Sequence, residues 1–270
     1  MKKIPQDLIG SIAILKFPRK TFSIVKKLKS RKFLKQHKTI TTVVEKTDKI
    51  SGRLRVHKTK HLAGEKTKET VHNENGCKFK INVDETYFSP RLSNERKIIA
   101  ERITKIAPKK ILVMFAGISP YPIVIAKFLK QANKKTTIIS NEINQKANVY
   151  GQKNIQLNKF QKTVSLLPGD AKKIPLKTKD KFDVIVMPRP NLKDTFLRTA
   201  LKLSKMPKNS ATKGTPSGAT TIFYHGFGTK DEVLKEIKKD TKNKIGKIKI
   251  RKAGDIGVGK WRWLAEFKVK

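Results

Sequence analysis

Three short stretches carry residues whose types and spacing suit the binding of a nucleoside. Ala116-Gly117-Ile118-Ser119-Pro120 follows an apolar run at 111–115 and precedes a helical pattern. A glycine at such a turn lets the backbone approach a ligand closely, and the helix behind it offers unpaired amides. Ser140-Asn141-Glu142 ends the next apolar segment, and a carboxylate there, about twenty-five residues on, is placed to accept hydrogen bonds from a ribose. Pro168-Gly169-Asp170-Ala171 follows a third segment. Singly these signals are weak: a glycine at a strand-to-helix turn is common, and Glu142 equally reads as a helix N-cap neighbour or a surface charge. Together they point to a nucleoside-containing cofactor.

The elements that position these residues alternate. From residue 93 onward the periodicity predicts helix 94–106, strand 111–115, helix 123–131, strand 136–140, helix 145–158, strands 162–166 and 182–187, helix 193–203 and strand 219–225. Strands separated by helices of this length imply right-handed crossovers and a mostly parallel, doubly wound α/β sheet, with ligands at the carboxyl ends of its strands. Residues 205–218, rich in Gly, Pro, Ser and Thr, read as a mobile loop on the opposite face. A helix at 231–239 and strands at 247–251 and 261–269 complete this part. Before it, strands at 9–15, 39–44 and 79–83 and a lysine-rich helix at 21–36 form a small α+β module. The expected division is residues 1–83 and 84–270. The helix carries Lys26, Lys27, Lys29, Arg31, Lys32 and Lys35, a solvated face or one that tracks a phosphate backbone.

The 270 residues hold 63 Lys and Arg against 21 Asp and Glu, a formal net charge of +42. Such an excess makes a polyanion the first partner to consider, because clustered cations release counterions when they meet phosphates. Only eleven of the cations are Arg, so lysine-rich composition is an alternative source of the charge. A hydrophobic content of 37% argues against a disordered basic tail. No apolar run approaches the ~18 residues of a membrane span, and the start has no cleavable apolar region, so a soluble, cytoplasmic protein is expected. One cysteine, Cys77, excludes an intramolecular disulfide and reads as a packed thiol. The five histidines show no metal-ligand spacing, and no metal is expected.

Several stretches resemble the class I S-adenosylmethionine-dependent tRNA methyltransferases, and within them the archaeal and eukaryotic tRNA (guanine-37-N1)-methyltransferases. Ala63-Gly64-Glu65 and Thr70-Val71-His72-Asn73-Glu74-Asn75-Gly76-Cys77 look like the family's LAGE and T-x-HxENGC segments. Tyr87-Phe88-Ser89-Pro90-Arg91-Leu92-Ser93-Asn94-Glu95-Arg96 is similar to its YFSPRLxxER block, the most specific part. Met114-Phe115-Ala116-Gly117, Asn141-Glu142, Gly169-Asp170-Ala171 and Met187-Pro188-Arg189-Pro190 match further motifs. The resemblance implies a Rossmann-like methyltransferase sheet preceded by a small α+β domain. It implies S-adenosyl-L-methionine as cofactor, held near Tyr87, Arg91, Phe115, Ala116, Gly117, Glu142, Asp170 and Ala171, and the target base near Pro188 and Pro190. It makes Glu95 the general base for guanine N1, whose proton must be removed for alkylation, and Arg55 the cation that steadies the charge pushed onto O6. Without the resemblance, Glu95 reads as a helix-start acid paired with Arg91, and Arg55 as one surface cation among many.

The chain departs from the family pattern at Pro188, where many members have Asn. That change either alters the substrate, as in relatives that methylate a tricyclic wyosine precursor, or shifts binding to backbone groups. Val113 replaces the usual Asp and Ser119 the usual Gly; either cofactor affinity falls, or water or Glu142 compensates. The extra amino-terminal domain of many archaeal members has no counterpart, so recognition is expected to rest on the anticodon stem-loop and on charge, by a monomer. The rivals are a wybutosine-pathway aminocarboxypropyl transferase and a non-catalytic tRNA-binding relative with a decayed cofactor site.

Overall fold

The computed structural model describes residues 4–47, 54, 56, 58–207, 218–242, 244–257 and 259–270. The amino-terminal apolar run does not form the single strand expected at 9–15. It folds as an antiparallel hairpin of β1 (Gln6–Ile9) and β2 (Ile12–Leu15), because Gly10 turns the chain at φ +54°. Helix α1 (Ser23–Gln36) crosses to β3 (Thr42–Lys46), parallel to β2, and β4 (Thr59–Gly64) pairs antiparallel with β3. The sheet runs β1-β2-β3-β4. On α1, Lys26 folds back onto Glu45 at 2.8 Å, whereas Lys27, Lys29, Arg31, Lys32 and Lys35 are exposed.

A hairpin follows, β5 (Glu69–Glu74) and β6 (Cys77–Asn82), joined by Asn75 and Gly76. Both turn residues have positive φ, 49° and 66°, as a two-residue Asn-Gly hairpin requires. Strand β5 was not expected, because its face toward the protein is polar. Thr70 Oγ1 accepts from the Ser11 amide at 2.9 Å and His72 Nδ1 from the Gly10 amide at 3.1 Å. Both oxygens of Glu74 accept from Arg96, at 2.5 Å each. The family's T-x-HxENGC segment is thus a set of structural clasps ending in the buried Cys77, whose thiol burial pushes up to about 11.

The second part holds α2 (Ser93–Ile106), β7 (Lys110–Met114), α3 (Pro120–Gln131), β8 (Thr137–Glu142), α4 (Gln145–Leu157), β9 (Val164–Pro168) and α5 (Ile174–Lys177). It continues with β10 (Val184–Met187), α6 (Leu197–Lys202), β11 (Thr221–Gly228), α7 (Lys230–Thr241), β12 (Lys249–Gly257) and β13 (Lys260–Lys268). The strands form one sheet in the order β12-β13-β11-β10-β7-β8-β9, parallel from β9 to β11 and antiparallel at β13 and β12. The doubly wound expectation holds, and its physical basis is visible in β7. Ile111 and Val113 pack with α2, α3 and α4 on one face, Leu112 and Met114 with α6 and α7 on the other. A strand covered on both faces must be apolar throughout. The expected helix at 193–203 begins only at Leu197, since the carbonyls of Leu192 and Asp194 are taken by Arg189. Residues 208–217 of the expected loop lie outside the described residues. No helix among the described residues is long and apolar enough to cross a membrane.

The Glu74–Arg96 pair joins the hairpin to α2 with both side chains 2% exposed. Glu74→Ala is expected to cost about 3–5 kcal/mol in urea unfolding, because it strands a buried guanidinium. Burial holds His72 below the ordinary imidazole range, with Arg96 acting the same way and Glu74 against it. A His with a folded pKa below its unfolded value adds stability that is present above the unfolded value and lost as pH falls. The urea midpoint should therefore decline as pH drops below about 6.5, and His72→Gln should flatten the decline; His225, shifted in the same direction, contributes to it, and acids held below their usual range, such as Asp183, add to it at lower pH.

Candidate active site

The strand order reverses between β7 and β10, and a cleft opens at the carboxyl ends of the strands there. Its place is that of a ligand site in an open α/β sheet. Phe115 and Gly117 after β7, Glu142, Ile143 and Asn144 at β8, Pro188, Arg189 and Pro190 after β10, and His225 and Phe227 of β11 line it. Leu54, Tyr87, Leu92, Ala147 and Arg262 close the sides.

The glycine turn and the acid are one unit. Gly117 has φ +57°, and its amide donates to Glu142 Oε2 at 2.8 Å. Glu142 Oε1 accepts from the Asn144 amide at 2.8 Å, and Asn144 in turn caps α4. Glu142 is the helix N-cap neighbour of one reading, bracing two backbone turns, and it also lines the cleft with a lone pair left on each oxygen. Burial raises its pKa, against the amides of Asn144, Gly117 and Ile143.

Of the residues expected near cofactor or base, Tyr87, Phe115, Gly117, Glu142, Pro188 and Pro190 come together in this cleft. Ala116, Arg91, Asp170 and Ala171 are not among its lining. Ala116 is buried under the turn, and Ala171 packs on the α6 and α7 side of the sheet. Asp170 Oδ1 caps the short turn after β9 by accepting from the Lys172 amide. Arg91 points outward, pairs with Asp7 at 2.8 Å, and borders a second groove between the amino-terminal sheet and the β12–β13 hairpin. Arg55 lies outside the described residues; Leu54 beside it in sequence lines the cleft.

Glu95, in the first turn of α2, does not pair with Arg91. Arg251 Nη2, from β12, lies 3.0 and 2.9 Å from its two oxygens, and His225 Nε2 lies 3.4 Å from Oε1. Burial pushes the Glu95 pKa up, but His225 and Arg251 outweigh it and hold the carboxyl below its usual range. The acid is thus ionised although only 5% exposed. His225 is 2% exposed, and burial holds it below the ordinary range despite Glu95. His225 and Arg251 escaped the sequence reading; for His225 a signal existed, its place near the carboxyl end of a parallel strand.

Arg189, 4% exposed, shapes the segment after β10 from beneath. It donates to the carbonyls of Pro190, Leu192 and Asp194 and to Glu236 at 2.6 Å, with its guanidinium over Tyr224 and Phe227. Neither remaining departure faces the cleft. Val113 is fully buried in the core, and Ser119, at φ +67°, turns its hydroxyl to Ser140 at 2.9 Å.

The family model of the TRM5/TYW2 methyltransferase domain matches residues 70–247. The chain is 34% identical over 224 residues to the tRNA (guanine(37)-N(1))-methyltransferase Trm5b of Pyrococcus abyssi, covering 82% of this chain and 59% of the relative. It is 44% identical over 153 residues to the tRNA (guanine(37)-N(1))/4-demethylwyosine(37)-methyltransferase Taw22 of Nanoarchaeum equitans, covering 57% of this chain and 48% of the relative. The chain thus spans about half the length of these curated relatives. A solved complex of aTrm5 and tRNALeu superposes with a TM-score of 0.82 at 23% identity, over 99% of this chain and 72% of that one, a likeness of fold.

Since Arg251 contributes to keeping Glu95 ionised, Arg251→Ala should raise the Glu95 pKa. Carbon-13 NMR titration of the side-chain carboxyl checks this, and an unmoved titration would mean that the pair does not form in solution.

Proposed function

Because the chain belongs to the TRM5/TYW2 methyltransferase family, we propose that it transfers a methyl group from S-adenosylmethionine to N1 of the guanine beside the anticodon of tRNA. The observation that carries this reading is Glu95: a buried carboxylate kept ionised directly behind the wall of the cleft at the strand ends. Guanine N1 bears a proton at neutral pH, and an ionised acid at this place is a sink for it.

The cleft's own residues fit the cofactor. The Gly117 turn leaves backbone within reach of a ligand, since even a Cβ there would stand 3.4 Å from the Tyr87 carbonyl. Glu142 offers a carboxylate to ribose hydroxyls, and Tyr87, Phe115 and Ile143 give apolar walls. S-adenosylmethionine, when bound, supplies a methyl group activated by its sulfonium. The chain then has to hold the base in line with it and remove the N1 proton, which are tasks of positioning and proton transfer. Pro188 and Pro190 form the wall nearest the segment fixed by Arg189. The family resemblance assigns O6 to Arg55. Exposed cations of α1 and the net charge of +42 support an RNA partner, as does the fold shared with a tRNA-bound structure.

A second substrate, 4-demethylwyosine at the same nucleotide, is favoured by the name of the Nanoarchaeum relative and by Pro188 in place of an amide side chain.

Methyl-labelled S-adenosylmethionine and tRNA transcripts bearing G37 or A37 test the reading. Incorporation should require G37, and Glu95→Gln should lower its rate by about 10²–10⁴-fold with tRNA binding retained. Equal labelling of both transcripts would defeat the assignment. Label that transfers only from the aminocarboxypropyl carbons would move the chain to the other transferase class.

A further inference from the structure

Among the described residues six arginines meet a carboxylate, at 2.5 to 3.6 Å. Arg19 and Arg31 are exposed. Arg262 differs from both groups: it is half-buried on β13, lines the cleft, and makes no hydrogen bond or ion pair among the described residues. What it touches is the ring of Phe227, with 5.4 Å from the guanidinium carbon to the centroid. A ring against the face of a guanidinium leaves the N–H groups of its edge free. The titratable groups nearest its charge, His225 and Tyr121, are both held neutral at pH 7 by burial and do not balance it. The cleft's other arginine, Arg189, spends its Nη groups on backbone carbonyls and Glu236. Arg262 is therefore the cleft-lining cation with room for an anion.

Its place in the sheet says which anion. Arg262 pairs with Phe227 across β13 and β11, and β13 stands three strands from β7, roughly 14 Å at the usual strand spacing. Gly117 and Glu142, which suit the cofactor, lie at the ends of β7 and β8, and Pro188 and Pro190 after β10 come between. The guanidinium is thus on the base side of the cleft. It also lines the second groove, between the amino-terminal sheet and the β12–β13 hairpin, and the two cavities share Tyr87, Leu92 and Arg262 as lining. Lys46 adds a further cation to that groove; of its acids, Asp7 is paired with Arg91 and Asp255 is exposed on β12.

We propose that Arg262 grips a phosphodiester next to the target guanosine, where the RNA strand passes from the groove into the cleft. The inference rests on the function proposed above and adds to it the contact that positions the strand. A base taken out of its stack lies inside a pocket while its sugar and phosphates stay at the mouth. The residue shared by cleft and groove stands at that mouth, and the planar fork of a guanidinium matches two phosphate oxygens at once. A phosphate contact carries no base information. It fixes how far the guanine enters, while Glu95 acts on N1.

Stem-loop RNAs with G37 or A37, unmodified or with an uncharged methylphosphonate on either side of nucleotide 37, test the contact from both partners. Arg262→Gln should bind the two unmodified RNAs about tenfold more weakly, and equally so. The slope of log affinity against log salt should fall by about 1. Arg262→Lys, which keeps the charge without the fork, should recover part of the loss. Wild type should lose a similar factor on the methylphosphonate at one of the two positions, a measurement that needs no variant to fold. Arg262→Gln should lose nothing further there, because both changes remove the same pair. Its calorimetric affinity for S-adenosylmethionine should be unchanged. Wild type indifferent to both methylphosphonates, an Arg262→Gln chain as sensitive to them as wild type, or an unchanged salt slope each overturns the contact and leaves the functional reading standing. So does a weakened S-adenosylmethionine affinity, which would give the guanidinium to the cofactor's carboxylate. A wild-type chain that transfers no methyl group to the unmodified G37 RNA overturns the functional reading and this inference with it.

Discussion

The ion pair between Glu74 and Arg96 is the interaction on which the site's geometry depends. Two charges buried to 2% exposure are costly to desolvate, and the pair is tolerated because both carboxylate oxygens and three of the guanidinium's five N–H groups are bonded. Arg96 gives two bonds to the carboxylate and one to the Ser89 carbonyl, and its plane lies over Phe88 and Tyr121. This fixes the rotation of α2 about its own axis. Neighbouring residues on a helix diverge by about 100°, so with Arg96 locked to the hairpin, Glu95 is directed to Arg251 and His225 at the sheet. The adjacent Glu-Arg of the sequence block is one structural anchor and one chemical group.

The β5–β6 hairpin extends that constraint in both directions. Thr70 and His72 hold the turn of the amino-terminal sheet, while Asn154 and Asn158 of the α4 region bond the backbone of Lys78 and Lys80. Asn154 also donates to the Ile118 carbonyl, in the turn that contains Gly117. A chain of hydrogen bonds thus runs from Gly10 through the hairpin to the Gly117 turn. The groove where Arg91 meets Asp7 and the cleft beyond it are held in register by the same element.

How much of this the sequence reveals depends on the range of the interaction involved. The parallel sheet was legible because strands buried on both faces are continuous apolar runs, and the Gly117–Glu142 unit because strand ends in such sheets are where ligands sit. Strand β5 was not, since its inward residues are polar and find their partners about sixty positions away, at Gly10 and Ser11. The hairpin within 9–15 was hidden for a local reason: alternation looks the same on both sides of a Gly-Ser turn. Glu95 was legible as a candidate through its motif, but its environment was not. Arg251 lies 156 residues later, on an edge strand whose own pattern says nothing of what it faces.

Arg189 has a consequence for how this site can diverge. Its bonds to three backbone carbonyls and to Glu236 shape the segment after β10 from the protein side, without using the side chain at 188. Loop shape and loop chemistry are therefore borne by different residues. Position 188 can therefore exchange an amide for a ring, changing the wall of the cleft while Arg189 keeps the shape of the segment. Arg189 makes the neighbouring position evolvable by making itself indispensable.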